Sequence, residues 1–96
     1  MLCSECRTSE LATDYMGTMT TTGLGYTCRP WSEGSPYHGA TVDANYPDGS
    51  IEAASNYCRN PDSDPKGLWC HTTDPMRLYD YCTVPLCSGK CICLGV

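Results

Sequence analysis

Apolar residues do not recur at helical spacing for long anywhere along the chain. Every candidate stretch meets Gly or Pro within about ten residues. Turn residues punctuate the sequence instead, at Gly23-Leu24-Gly25, Gly34-Ser35-Pro36, Pro47-Asp48-Gly49, Asn60-Pro61-Asp62, Asp64-Pro65-Lys66-Gly67 and Asp74-Pro75. Each supplies a positive φ, a fixed φ, or an Asx side chain that caps its own turn. Short extended pieces lie between them. Trp69-Cys70-His71-Thr72-Thr73 and Leu78-Tyr79-Asp80-Tyr81-Cys82 alternate in character, which predicts a small antiparallel hairpin through the Asp74-Pro75 turn. The expected product is one loop-rich domain with short strands, without repeats, low-complexity segments or an internal linker.

Composition sharpens that picture. The 96 residues include twelve Leu, Ile and Val and no Phe, about an eighth of the chain. A chain below roughly one-fifth in these residues does not usually hold a core on aliphatic burial alone. Seven tyrosines, two tryptophans and nine cysteines nevertheless argue against a solvated coil. Cross-linking by cysteine is the expected substitute for aliphatic burial.

The net charge is -5, and the six basic residues (Arg7, Arg29, Arg59, Lys66, Arg77 and Lys90) are scattered. Phosphate backbones and anionic membrane surfaces call for clustered cations, so neither nucleic acid nor a membrane surface is an expected partner. A cationic, lysine-bearing partner fits the sign better. The longest apolar run near an end, Cys91-Ile92-Cys93-Leu94-Gly95-Val96, is far too short to span a bilayer. Met1-Leu2-Cys3-Ser4-Glu5 lacks the basic and apolar regions of a signal peptide.

Cysteines stand at 3, 6, 28, 58, 70, 82, 87, 91 and 93. Cys3-x-x-Cys6 with Cys91-x-Cys93 would offer four thiolates to zinc. The long, irregular gaps among Cys28, Cys58, Cys70, Cys82 and Cys87 suit disulfides better. Spacing alone does not give the pairing, because six cysteines already permit 15 pairings.

The residues around the cysteines are more informative. Asn56-Tyr57-Cys58-Arg59-Asn60-Pro61-Asp62-Ser63-Asp64, followed by Gly67-Leu68-Trp69-Cys70-His71-Thr72-Thr73-Asp74-Pro75, closely resembles the most distinctive stretch of kringle domains. Tyr15-Met16-Gly17-Thr18, Cys28-Arg29-Pro30-Trp31, Asn45-Tyr46-Pro47 and Tyr81-Cys82-Thr83-Val84-Pro85-Leu86-Cys87 match in order. The resemblance covers residues 6–87, leaving tails at 1–5 and 88–96. It implies a small disulfide-rich kringle fold, loop-rich with short antiparallel β-strands. It also implies the bridges Cys6–Cys87, Cys28–Cys70 and Cys58–Cys82. Loops of these lengths stabilise by roughly 3.5–4.5 kcal/mol each in the chain-entropy account, and the nested values do not add. Trp31, Ile51 and Tyr57 are expected to pack in the core. Cys6–Cys87 would bring the chain ends together, so Cys3 is expected to pair with Cys91 or Cys93. That leaves one thiol free, capped or bonded to another chain.

Asp62 and Asp64, two apart, can point to one side, and two close carboxylates make a strong acceptor for an ammonium group. Trp69 and Tyr79 would flank them as aromatic walls for the methylenes of an alkylammonium chain. Read without context, the same aspartates cap turns at Pro61 and Pro65, and Trp69 is core. The resemblance to lysine-binding kringles favours the binding reading. It assigns the ligand amine to Asp62 and Asp64, and the trough to Trp69, His71 and Tyr79. His71 replaces a usual Phe or Tyr, Leu78 replaces the usual Arg, and neither Ala40 nor Thr41 is basic. Arg77, one residue earlier, is the remaining candidate cation for a ligand carboxylate, though expected to face away. The segment Arg77-Leu78-Tyr79-Asp80-Tyr81-Cys82 is similar to the fifth kringle of plasminogen, which implies a preference for amines lacking a carboxylate and for internal lysines.

His38 and His71 have no serine placed beside them on a nucleophile elbow, so a hydrolase is not expected. Asp62-x-Asp64-x-Lys66-Gly67 puts a lysine at a calcium-ligand position, so no metal or cofactor is expected. The combined expectation is a non-catalytic, secreted module that docks onto lysines of a partner protein or takes a small alkylamine or omega-amino acid. The competing expectations are a stand-alone secreted cysteine-rich effector with a vestigial lysine site, and a structural spacer in a receptor ectodomain.

Overall fold

The computed structural model describes residues 6–33 and 41–87. Calls on Cys3, His38, Ala40, Cys91 and Cys93 lie outside the described residues. Among the described residues the regular elements are two short 3-10 turns, Trp31–Glu33 and Asp43–Asn45, and two strands, β1 (Trp69–His71) and β2 (Tyr79–Tyr81). The strands pair antiparallel with Trp69 opposite Tyr81, Cys70 opposite Asp80 and His71 opposite Tyr79. This is the hairpin that the alternating pattern predicts. Because strand side chains alternate between faces, Trp69, His71, Tyr79 and Tyr81 share one face, and Cys70 and Asp80 the other. The turn between the strands is held locally. Met76 N donates to Asp74 Oδ1 at 2.8 Å, and Thr72 Oγ1 donates to the Arg77 carbonyl.

Among the described residues the bridges are Cys6–Cys87, Cys28–Cys70 and Cys58–Cys82, as the resemblance implies. The sulfurs of the second and third bridges pack against each other, with Cys28 Sγ 3.9 Å from Cys58 Sγ. Those four sulfurs lie within 4.8 Å of one another, but each is already bonded to sulfur, so they present no thiolate to a metal. Around them the buried set is aromatic and small: Tyr15, Trp31, Tyr46, Ala54, Leu68, Trp69 and Val84. Trp31 sits at its centre, edge-on to Trp69 at 4.9 Å and to Tyr46 at 5.5 Å. Its indole Nε1 donates to the Tyr57 carbonyl at 2.7 Å. Ile51 packs on the edge of this cluster, and Tyr57 is half-buried.

The ends of the domain meet. Arg7 N donates to the Pro85 carbonyl at 2.9 Å and Cys87 N to the Arg7 carbonyl at 2.8 Å, beside the Cys6–Cys87 bridge. A second device was not visible in the pattern. Arg59 is 1% exposed. Its guanidinium forms a two-point pair with Asp48, Nε to Oδ1 at 2.8 Å and Nη2 to Oδ2 at 2.7 Å. Nη1 donates to the carbonyls of Gly17 and Cys58, and the rings of Tyr15 and Tyr57 stack at 5.3 and 5.2 Å. A buried guanidinium is tolerated only when its donors are met in this way. The Asp48 of the Pro47-Asp48-Gly49 turn therefore ties that loop to the segment that leads into the candidate site.

Candidate functional site

The loop from Asn60 to Gly67 carries the two aspartates, and Asn60 shapes it. Asn60 is buried; its Oδ1 accepts from Asp64 N at 2.7 Å. Its Nδ2 donates to the Asp64 carbonyl at 3.0 Å and across to the Leu11 carbonyl at 2.6 Å. The chain is thereby folded back on itself between residues 60 and 64, with Ser63 in the left-handed region at φ 54°. Asn60 thus acts as a clamp that fixes where both carboxylates start. The next turn closes with Lys66 N on Asp64 Oδ1 at 2.8 Å and Gly67 N on the Asp64 carbonyl at 2.9 Å. Gly67 has φ 95°, and a Cβ there would stand 3.0 Å from the Glu10 carbonyl, so this turn calls for glycine.

Both carboxylates are anchored to aromatic residues of the hairpin. Trp69 Nε1 donates to Asp62 Oδ1 at 3.0 Å. Tyr81 Oη donates to Asp64 Oδ2 at 2.8 Å. Burial, reinforced by the Asp64 carboxylate, pushes the Tyr81 phenol above its ordinary range, so it stays protonated and keeps donating. Asp62 Oδ2 has no partner among the described residues. Asp62, Asp64, Trp69 and Tyr79 together line a cleft of about 60 Å³. It suits the tip of a side chain and is far below the size of a drug-like pocket. Trp69 is 2% exposed and forms the floor, buttressed edge-on by Trp31 from behind and by Tyr79 at 5.9 Å.

Two of the expected site residues, the trough residue His71 and the candidate cation Arg77, do not line this cleft. His71 is 3% exposed and does not line the cleft. It lies beside Trp69, ring centroids 5.4 Å apart, and edge-on to Trp31 at 5.8 Å. Arg29 Nη2 lies 3.2 Å from His71 Nδ1. Arginine can only donate, so Nδ1 accepts and the neutral ring carries its proton on Nε2. Burial, with the Arg29 charge next, lowers the His71 pKa. The sequence could not show this, because Arg29 is 42 residues away. Arg77 does not line the cleft either. Its Nη2 donates to Asp80 Oδ1 at 2.8 Å, and its guanidinium lies over the Tyr26 ring. Burial raises the Asp80 pKa, but hydrogen bonds from Arg77, Thr22 and the backbone outweigh it and hold the carboxyl below its ordinary value. Leu78 is exposed, as is Thr41.

Asn60 and Tyr81 were missed as parts of the site. Tyr81 had a usable signal, since it alternates with Tyr79 onto the Trp69 face. Asn60 had none beyond its place in a turn.

Residues 6–87 match the family model of the kringle domain. The chain belongs to the kringle family. It is 47% identical over 75 residues to apolipoprotein(a)-like protein 2 of Homo sapiens, a match that covers 77% of this chain and 54% of that protein. The chain thus spans about half the length of that curated relative. As a kringle it is a non-catalytic binding module, with three disulfides and one two-stranded antiparallel sheet among the described residues.

Proposed function

We propose that this kringle docks onto a partner protein by taking a lysine side chain, or a small alkylamine, into the Asp62–Asp64 cleft. The observation that carries the reading is the convergence of two carboxylates and two aromatic walls on one small opening. The ammonium group lies between the carboxylates, where charge-assisted hydrogen bonds to Asp62 Oδ2 and Asp64 are strongest. The methylenes pack against Trp69 and Tyr79, and the cation gains from their ring quadrupoles. The rest of the site explains the choice of amine. Leu78 stands outside the cleft wall, and the Arg77 charge is engaged by Asp80. Among the described residues, a ligand carboxylate at the far end of an extended chain therefore finds no cation lining this cleft, and free omega-amino acids bind more weakly than alkylamines. Disulfides of this kind form and persist in oxidising surroundings, which supports reading the chain as an extracellular module.

Elution from an amine-bearing resin tests this reading. The chain is retained at low salt, and n-butylamine elutes it at lower concentration than the omega-amino acid of equal carbon count. Absence of retention, or elution in the reverse order, contradicts it.

A further inference from the structure

A second cleft, of about 410 Å³, lies along β2 and is lined by Lys66, Met76, Arg77, Leu78, Tyr79, Asp80 and Tyr81. Tyr79 also lines the acidic cleft, so the two openings are neighbours across one ring. The second cleft combines apolar exposure with one surplus cation, because Arg77 and Asp80 pair with each other and leave Lys66. Met76 is 90% exposed and Leu78 63%. Lys66 holds its ammonium over the Tyr81 ring at 5.4 Å.

The charge bookkeeping around Lys66 is unusual for this molecule. Arg7, Arg29, Arg59 and Arg77 each pair with a carboxylate, respectively Glu10, Glu33, Asp48 and Asp80. Lys66 has no carboxylate partner among the described residues. In an acidic chain with net charge -5, a cation that lines a cleft and has no carboxylate partner among the described residues is complementary to an anion from outside.

We infer that this second cleft takes a carboxylate and an apolar side chain that flank the partner's lysine, so the preferred ligand is a peptide segment in which a lysine stands near an acidic residue. Lys66 receives the carboxylate, and the Met76–Leu78 ridge and the Tyr79 and Tyr81 rings receive the apolar group. The inference rests on the acidic cleft receiving the lysine. It is compatible with weak binding of free omega-amino acids. Their carboxylate stands at the far end of an extended chain from the ammonium, whereas Lys66 stands over Tyr81, the residue that holds Asp64, at the acidic end. A flanking residue on a peptide backbone can return to that end; a short linear chain cannot.

The test is a set of short capped peptides with one central lysine and a glutamate scanned through the flanking positions, each with a matched glutamine control, titrated by NMR alongside n-butylamine. One or more positions show the glutamate peptide binding about two- to fivefold tighter than its control at low salt, the range for an exposed ion pair, and the difference disappears at about 1 M salt. Lys66→Gln brings that ratio to one, and Lys66→Arg retains it. Equal affinities at every position, or a glutamate preference that survives Lys66→Gln, overturn the second subsite while butylamine binding stands. A wild-type chain that does not bind butylamine overturns the acidic cleft, and this inference with it.

Discussion

The indole Nε1 of Trp69 donates to Asp62 Oδ1 at 3.0 Å, which makes the floor of the cleft and one of its charges a single unit. Removing the carboxylate has two separable effects. Asp62→Asn keeps an acceptor for the indole and removes the charge. Amine affinity then falls by at least about tenfold, the size of a lost charge-assisted hydrogen bond. Its unfolding midpoint stays close to wild type. Asp62→Ala also leaves a buried N–H without a partner and costs about 1–3 kcal/mol of stability. Urea unfolding of the two variants, with disulfides intact, separates these outcomes.

Asn60 makes no contact with the proposed ligand but sets the loop that presents both carboxylates. Asn60→Ala removes its bonds to Leu11 and Asp64. The expected loss is about 2–3 kcal/mol of stability, with amine affinity reduced more than salt screening alone explains. Amide exchange would show Asp64 N losing protection first.

The Arg59–Asp48 pair is a folding device. Its side chains are 1% and 8% exposed. Asp48→Ala strands a buried guanidinium and destabilises by about 3–5 kcal/mol, among the largest single-residue effects expected in the chain. Arg59→Met likewise strands the Asp48 carboxylate, whose side chain is 8% exposed, and is destabilising for the same reason. The double variant Asp48→Ala, Arg59→Met is therefore more stable than Asp48→Ala alone. Equilibrium unfolding of the three variants checks that order.

Several of these relationships were legible in the sequence and several were not. The hairpin was legible because Trp69–Thr73 and Leu78–Cys82 alternate and flank a turn dipeptide. The closeness of Asp62, Asp64, Trp69 and Tyr79 followed from motif resemblance, with local spacing as support. The burial of His71 was not legible because it depends on Trp31 and Arg29, 40 or more residues away in sequence. Asp48 read as a turn residue for the same reason: its partner Arg59 is defined by how two loops stack. Arg77 stands three residues from Asp80, a local pairing that spacing alone does not distinguish from an outward-facing cation.

His71 gives the fold a pH dependence of definite sign. Its folded-state pKa is lowered, so protons bind the unfolded chain first as pH falls. The stability associated with the neutral ring is complete above the unfolded value of about 6.5. It declines as pH drops through that value and levels off below the lower folded value. His71→Phe abolishes this part of the profile, and the difference between wild type and variant in unfolding free energy narrows or reverses from pH 7 towards pH 5. A constant difference over that range contradicts the buried neutral assignment.

The central claim is that the Asp62–Asp64 cleft receives an ammonium group. The most direct measurement follows the Trp69 indole N–H in proton–nitrogen correlation spectra while n-butylamine is added to millimolar concentration. A saturable shift of that resonance, lost in Asp62→Asn, is the predicted result. An indole signal that stays in place while the protein remains folded contradicts the claim.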